Sequence, residues 1–222
     1  MLTGFGATVA DVAASLRQLE YPEDPIQWTD ENRAALAEEI RARTKPLVIV
    51  ANKADVAPAE NLERLRETDK PVIPTTADGE LALRTAADAG AVDYDPGDAD
   101  FDIPGDVTDA QREGLNRIRE VMAEYGGTGV QAAIDHAVYD LLDRITVFPV
   151  QNETRWTDGS GTVLPDAVLL PRGSTPPDLA YAIHTDIGEG YLHAVDARSD
   201  RRIGVDHELE EGDVIKIVST AN

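Results

Sequence analysis

The fold of this chain is decided by residues 46–77, which read PLVIVANKADVAPAENLERLRETDKPVIPTTA. Residues 46–50 form a short, continuously apolar and β-branched run, which is typical of a strand buried on both faces. A helix is predicted from about residue 59 to 67, a second strand over 71–74 and a further helix over 80–89. Strand, helix, strand and helix at this spacing predict a parallel βαβ unit.

The tetrapeptide Asn52-Lys53-Ala54-Asp55 follows directly after the first predicted strand. An N-K-x-D sequence in this position is the guanine-recognition motif of P-loop GTPases, and open parallel sheets bind ligands outside the carboxyl ends of their strands. The carboxylate of Asp55 can accept both donors of the guanine edge, N1–H and the 2-amino group. Adenine has a lone pair in place of N1–H and would leave that carboxylate unpaired. Asn52 is expected to bridge the base and the neighbouring loops, and Lys53 to lay its aliphatic stem along the ring.

A second guanine loop is predicted after the next strand, where Thr75-Thr76-Ala77 lies. A Ser/Thr-Ala pair in this position places a backbone N–H, here that of Ala77, near guanine O6, and Thr76 is expected to shape the loop. An alternative is that Asn52 and Asp55 simply form a turn after the strand. The residues predicted to bind GTP or GDP are Asn52, Lys53, Asp55, Thr76 and Ala77.

Helical periodicity dominates the rest of the first 144 residues, and strands dominate the remainder. Helices are predicted over residues 7–19, 30–43 and 108–125, and after the glycine-rich residues 126–129 to about residue 144. Residues 90–107 are predicted to be an acidic loop. Beyond residue 144, strands are predicted over 145–150, 167–170, 191–195 and 213–218, with one helix over 177–184. This order suggests a small α+β module of the β-grasp kind.

Several short segments give the chain a family resemblance. It resembles the YchF-related branch of the Obg-like GTPases through residues 47–84, Tyr94-Asp-Pro-Gly-Asp98 and Thr128-Gly-Val-Gln131. Its last part resembles a TGS domain through residues 170–173, 182–188 and 211–216. The resemblance implies an α/β fold, a partial P-loop GTPase domain with helical additions over residues 1–144. An α+β, ubiquitin-like β-grasp TGS domain would follow over residues 145–222.

The family also implies a role. It predicts a cytoplasmic nucleotide switch that binds guanine nucleotide and is associated with ribosomes or translation. The TGS domain could contact RNA or the ribosome. The oligomeric state is left open.

The family's phosphate loop is absent from the sequence, because no G-x-x-x-x-G-K-[ST] occurs in the 222 residues. Asp102-Ile-Pro-Gly105 matches the D-x-x-G pattern that senses the γ-phosphate, but it follows the guanine motif instead of preceding it and is interpreted as a turn. We therefore expect the C-terminal part of a longer GTPase, in which Mg²⁺ binds only together with the missing N-terminal part. For this chain alone we predict weak nucleotide binding and no appreciable hydrolysis, and we assign no catalytic residue.

Two other interpretations stay open. In the first, the chain is a non-enzymatic binding module whose TGS domain docks on RNA, the ribosome or a protein partner, and the GTPase-derived part is a scaffold. In the second, a separate chain supplies the phosphate loop. Guanine-selective binding that is lost in Asp55→Ala would favour a nucleotide site over the first of these.

The composition limits the classes of function. With 42 acidic and 20 basic residues the formal net charge is −22, which disfavours a broad nucleic-acid surface because counterion release needs clustered Lys and Arg. A local basic patch of Arg198, Arg201 and Arg202 is still available. The acidic, Lys-poor composition resembles that of salt-adapted proteins. Cysteine is absent, which excludes a thiolate site, and the longest apolar stretch, residues 47–51, is too short to span a membrane.

Metal sites are not predicted. Asp98, Asp100 and Asp102 alternate as at the start of a calcium loop, but Ile103 stands where glycine is needed. His136 and Asp140 share a helix face, but no second histidine joins them to form a zinc site.

Overall fold

The computed structural model describes residues 6–19, 21 and 24–221. The chain forms two compact units, residues 1–136 and 137–222, and each has a hydrophobic core of its own. In the described part of the chain, no helix is both long enough and apolar enough to cross a membrane.

The first unit begins with two helices and continues with the predicted βαβ unit. In chain order it contains α1 (Val9–Gln18), a 3₁₀ turn (Pro25–Gln27), α2 (Asp30–Thr44), β1 (Ile49–Asn52), α3 (Ala59–Arg66), β2 (Val72–Thr75), α4 (Ala77–Asp88), α5 (Asp109–Tyr125) and α6 (Val130–Asp135). Thr8, Thr29 and Thr108 start α1, α2 and α5 with capping boxes. The helix predicted from residue 7 begins at Val9 instead. Against the prediction, α4 begins at Ala77, directly after β2, and not at residue 80.

The two strands of the first unit pair in parallel, with Ile49 opposite Val72 and Asn52 opposite Thr75. The predicted parallel βαβ unit is therefore confirmed. The predicted burial of the first strand on both faces is wrong, because Val50 on β1 is 46% exposed. Along β1 the residues alternate between half-buried and exposed, and in the described residues this sheet has two strands. An apolar run indicates which residues can be buried, but it does not show what covers them.

The main core of the first unit is built by α4, α5 and the segment that joins them. Leu83 on α4 and Met122 on α5 are fully buried. The joining segment contributes Val92, Tyr94 and Phe101 to the same cluster. The segment predicted as an acidic loop is therefore packed against both helices through these three buried side chains.

The D-x-x-G sequence lies in this packed segment. The backbone of Asp102 forms an antiparallel bridge with that of Asp93. A Cβ on Gly105 would lie 2.7 Å from the carbonyl oxygen of Gly90, a distance that real side chains do not tolerate. The glycine is thus required by local backbone packing.

The chain passes from the first unit to the second within a π-helical turn, His136–Leu141. The helix predicted to run to about residue 144 therefore ends earlier than expected. The second unit then contains β3 (Arg144–Pro149), β4 (Val168–Pro171), α7 (Pro176–Ile183), α8 (Thr185–Glu189), β5 (Tyr191–Asp196), β6 (Arg201–Ile203) and β7 (Asp213–Ser219).

The second unit is a β-grasp fold, as predicted. Its sheet has the order β4-β3-β7-β5-β6, with β3 and β7 parallel and the other pairs antiparallel. Leu179 of α7 packs against Ile145, Val147 and Ile215 in the core between the helix and the sheet. The edge strand β6 was not predicted, because its Arg-Arg-Ile sequence lacks the apolar alternation that marks a strand.

Candidate functional site

The predicted guanine residues lie where β1 and β2 end side by side. The N–H of Ala54 donates to the carbonyl oxygen of Thr75 at 3.0 Å, so the N-K-x-D turn is tied to the end of the neighbouring strand. Lys53 adopts a left-handed backbone conformation with φ of 67°, and its carbonyl oxygen accepts from the N–H groups of Val56 and Ala57. The turn after β1 is therefore tight.

Asn52 connects the two predicted loops directly. Its Oδ1 accepts hydrogen bonds from the N–H of Lys53 at 2.8 Å and from the N–H of Ala77 at 3.1 Å. This bond joins the two loops, and the contact of Asn52 with a base stays a prediction. The Ala77 N–H predicted to face guanine O6 is engaged by Asn52 in this structure, so a base would have to share or displace that bond.

Asp55 and Thr76 border the same cleft. The cleft has a volume of about 600 Å³ and lies between the two loops and α5, a size that is ordinary for small-molecule sites. The Asp55 side chain is exposed at its edge, and α5 contributes Gly114, Ile118 and Val121 to the opposite wall. Asn52 lines a separate, smaller cavity of about 150 Å³ beside α3.

The cleft is acidic apart from one arginine. Asp78, Glu120 and Glu124 line it together with Asp55, and Arg117 is the basic residue among the lining groups. Arg117 is paired with Glu113 at 3.0 Å. Because like charges repel, the phosphates of a bound nucleotide would be disfavoured on the α5 side.

A buried carboxylate, that of Glu80 in the first turns of α4, lies behind the second loop. Glu80 is 4% exposed. Its Oε1 accepts from Arg84 Nε at 2.6 Å, and its Oε2 accepts from Tyr94 OH at 2.6 Å and Thr128 Oγ1 at 2.5 Å. Burial alone would raise the pKa of Glu80, but the hydrogen bonds from Thr128, Tyr94 and Arg84 outweigh it and lower the pKa below its usual value.

The glycine-rich segment after α5 presses against the same loop. A Cβ on Gly129 would lie 1.9 Å from the carbonyl oxygen of Pro74, and Gly129 has φ of +80°. The N–H of Thr76 donates to the carbonyl oxygen of Thr128 at 2.8 Å. The loop from Thr75 to Ala77 is therefore held from behind by a segment distant in sequence.

Comparison with known proteins identifies two domain families along the chain. Residues 50–152 match the domain family described as Obg-like GTPase YGR210-like, G4 motif-containing domain, and residues 161–219 match the TGS domain. The chain belongs to the Obg-like GTPases. The same matches confirm the resemblance to Obg-like GTPases with a C-terminal TGS domain.

Two archaeal relatives match the chain over nearly its whole length. It is 43% identical to the uncharacterized GTP-binding protein MJ1332 of Methanocaldococcus jannaschii, covering 99% of this chain and 56% of that protein. It is 42% identical to a GTP-binding protein from Pyrococcus horikoshii with a crystal structure, which superposes with a TM-score of 0.70 and covers 99% of this chain and 59% of that one. This Obg-like chain therefore spans a little over half the length of both relatives.

A shorter similarity links the chain to another class of protein. The chain is 48% identical over 58 residues to a guanosine-3′,5′-bis(diphosphate) 3′-pyrophosphohydrolase of Aquifex aeolicus. The match covers 26% of this chain and 8% of the larger protein. The similarity is therefore confined to a domain-sized segment.

The cluster around Glu80 was missed by sequence reasoning. Its members belong to segments that carry the family resemblance, Glu80-Leu-Ala-Leu-Arg84, the one beginning at Tyr94 and the one beginning at Thr128. Glu80 and Thr128 are 48 residues apart, and no periodicity relates them. The sequence did offer one clue to the cluster: each of the three segments that carry the family resemblance contains at least one of its polar residues.

The other sequence candidates have local roles in the described structure. Asp98 accepts from the N–H of Asp95 and Asp100 pairs with Arg119. Among the described residues, no group of three or more His, Asp or Glu side chains could hold a metal ion. In the TGS domain, His184 Nδ1 accepts from the N–H of Asp186 and caps α8.

The three arginines of the predicted basic patch in the TGS domain are all exposed, and Arg198 also has contacts within the domain. Arg198 donates to the carbonyl oxygen of Gly212 and lies over the ring of Trp156 at 5.4 Å from its centroid. Trp156 packs against a small buried cluster and donates from Nε1 to the carbonyl oxygen of Ala197. Arg201 and Arg202 are exposed on the edge strand β6.

Replacing Glu80 with glutamine tests the strength of the buried cluster. Its lowered pKa means that the ionised carboxylate stabilises the folded state above the ordinary pKa of glutamate, and this contribution is lost as pH falls through the lowered pKa. We expect Glu80→Gln to lower the free energy of unfolding of the first unit by about 1–2 kcal/mol at pH 7. The difference from the parent should shrink on acidification, measured by amide hydrogen exchange at Leu83 and Met122.

The matched control is Glu113→Gln on α5. Glu113 and Arg117 form an exposed pair, with side-chain exposures of 73% and 70%, and such pairs contribute little. An equal loss in both variants, or a loss in Glu80→Gln that stays constant across the acidic range, would contradict the role of the ionised carboxylate.

Proposed function

We propose that this chain is the guanine-recognising and TGS-bearing part of a cytoplasmic Obg-like GTPase that is associated with ribosomes or translation. The observation that supports the proposal most is the meeting of the two loops. Asn52 bonds the N–H of Ala77, and Asp55 and Thr76 border one cleft. In the proposed site Asp55 accepts the two donors of guanine, Ala77 donates to O6, and Lys53 covers the ring.

Binding the phosphates of the nucleotide requires a phosphate loop, which residues 1–222 do not contain. The sequence has no G-x-x-x-x-G-K-[ST], and catalysis in this class depends on positioning the phosphates and neutralising their charge. We propose that a phosphate-loop segment, in the same protein or in a separate chain, binds the triphosphate and Mg²⁺. The acids of the cleft favour a nucleotide whose phosphates point away from α5.

The TGS domain, proposed over residues 145–222, would supply the contact with RNA or the ribosome. Its basic residues Arg201 and Arg202 are exposed on the edge strand β6, where a phosphate backbone could reach them. The second candidate function is a non-enzymatic binding module. It is favoured by the second unit's own core around Leu179 and Ile215, which needs no nucleotide.

Calorimetric titration of the chain with GDP and with ADP separates the two functions. The proposed site predicts weak, guanine-selective heat, because the base contacts are present and the phosphate contacts are not. Single-turnover assays should show no appreciable GTP hydrolysis by the chain alone. No heat of binding with either nucleotide would favour the binding module. Hydrolysis at rates typical of complete GTPases would contradict the need for a phosphate-loop segment.

A variant on the opposite wall tests whether the cleft is the binding site. Gly114 on α5 lines the cleft, and nothing lies within 4 Å of the position of its missing Cβ. Gly114→Phe should therefore fold and reduce GDP binding by filling the cleft, whereas Gly114→Ala should fold with the helix slightly more stable and bind GDP normally. Unchanged binding in Gly114→Phe would place the nucleotide elsewhere.

A further inference from the structure

The second guanine loop is held by one residue through two different groups. The carbonyl oxygen of Thr128 accepts from the N–H of Thr76 at 2.8 Å, and the hydroxyl of Thr128 donates to Glu80 Oε2 at 2.5 Å. Thr128 and Thr76 are both buried, at 3% and 2% exposure. The position of Thr128 is thus fixed by a carboxylate on the helix that begins with the loop.

The backbone around this contact leaves little room for adjustment. Gly129 lies so close to the end of β2 that any Cβ there would overlap the carbonyl oxygen of Pro74. Thr76 is the N-cap of α4, and its Oγ1 accepts from the N–H of Gly79 at 3.3 Å. Two hydrogen bonds and one helix turn therefore connect these residues in a ring. The Thr76 N–H bonds Thr128, the Thr128 hydroxyl bonds Glu80, and the first turn of α4 joins Glu80 to Thr76.

We propose that Glu80 is a positioning residue for nucleotide recognition, which acts through Thr128 to set the place of the Thr76–Ala77 loop. This inference rests on the proposed guanine site. Glu80 does not line the cleft and touches no base. It holds the Thr128 hydroxyl, and Thr128 holds the Thr76 N–H, so that the following N–H of Ala77 stays at the position where Asn52 or guanine O6 can accept it.

Tyr94 serves as a comparison for Thr128, because both hydroxyls bond the same carboxylate. Tyr94 OH donates to the same Glu80 Oε2 at 2.6 Å, but no backbone bond joins Tyr94 to the loop in the described residues. Tyr94→Phe and Thr128→Val each remove one hydroxyl bond to the carboxylate and leave the volume nearly unchanged. If the cluster only stabilises the fold, both substitutions should disturb the Thr76–Ala77 loop equally. If Glu80 positions the loop through Thr128, only Thr128→Val should disturb it.

The test is amide hydrogen exchange at Thr76, combined with GDP titration, on the full chain. We expect Thr128→Val to accelerate Thr76 exchange about tenfold more than Tyr94→Phe does, as the loss of one hydrogen bond to a charged group would allow. The dissociation constant for GDP should rise several-fold in Thr128→Val. Thr128→Ser retains the hydroxyl and should restore both exchange and affinity.

Each outcome decides the inference. If Thr128→Val and Tyr94→Phe change Thr76 exchange equally, Glu80 is a stabilising residue only and the inference is overturned. If the exchange differs as predicted but the parent chain binds no GDP, the positioning of the loop stands and the proposed guanine site fails. If Thr128→Val does not fold, Glu80→Gln replaces it, and exchange at Thr76 that is no faster than in Glu113→Gln overturns the inference.

Discussion

Gly129→Ala should be among the most damaging single-methyl substitutions in the first unit. The added Cβ would lie 1.9 Å from the carbonyl oxygen of Pro74 and 3.0 Å from Thr75 Cα, so the end of β2 must move. The backbone at φ of +80° adds the usual cost of a left-handed conformation, about 1–2 kcal/mol. With overpacking of about 1–3 kcal/mol, we expect a total loss of roughly 2–5 kcal/mol in the free energy of unfolding of this unit.

Gly126→Ala is the matched control, because Gly126 has φ of +82° and nothing within 4 Å of its missing Cβ. It should show the conformational cost alone, about 1–2 kcal/mol. Hydrogen exchange at Leu83 and Met122 reports the stability of the first unit separately from the TGS domain. Equal losses in the two variants would show that the approach of Gly129 to β2 is not tight and that the Gly129 segment does not hold the loop.

Asp55→Asn should change which purine the site selects. The substitution replaces one accepting oxygen with an NH₂ donor, so it loses a charge-assisted bond to guanine and can donate to the C2 carbonyl of xanthine. We expect the dissociation constant for GDP to rise by roughly 10- to 150-fold, which corresponds to about 1.5–3 kcal/mol. Affinity for xanthosine diphosphate should rise in the same variant, as measured by parallel calorimetric titrations.

Asp78→Asn provides the control for Asp55→Asn. Asp78 lines the same cleft but follows the loop instead of the N-K-x-D turn, and its charge has no assigned contact with the base. It should leave the preference between guanine and xanthine unchanged. If Asp55→Asn binds GDP as tightly as the parent, the carboxylate does not recognise the base, and the proposed role of the N-K-x-D turn is wrong.

The sequence was informative wherever local signals decide the structure. The helices predicted over residues 30–43 and 108–125 match α2 and α5 to within one residue, because a helix start depends on capping residues within one turn. The βαβ spacing predicted that Asn52 and Thr75 would follow neighbouring strands at one edge of the sheet, because parallel strands place their carboxyl ends together. In the structure they are the last, paired residues of β1 and β2. The bridge from Asn52 to Ala77 followed from that placement.

The remaining features depend on contacts between distant segments. The exposure of Val50 reflects how few elements cover β1 in the described residues, and composition carries no information on coverage. The Glu80 cluster and the approach of Gly129 to Pro74 join segments that no helical or strand period relates. β6 was missed because an edge strand exposed to solvent can consist of polar residues.

The most direct test of the central claim is nuclear magnetic resonance titration of the ¹⁵N-labelled chain with guanosine 5′-monophosphate, and with adenosine 5′-monophosphate as the control. Weak binding is sufficient for this measurement, and the backbone amides of Asp55 and Ala77 report on the two loops separately. The proposed guanine site predicts that both amide signals shift with the guanine nucleotide and stay unchanged with the adenine nucleotide. Shifts confined to other residues, or equal shifts with both nucleotides, would contradict it.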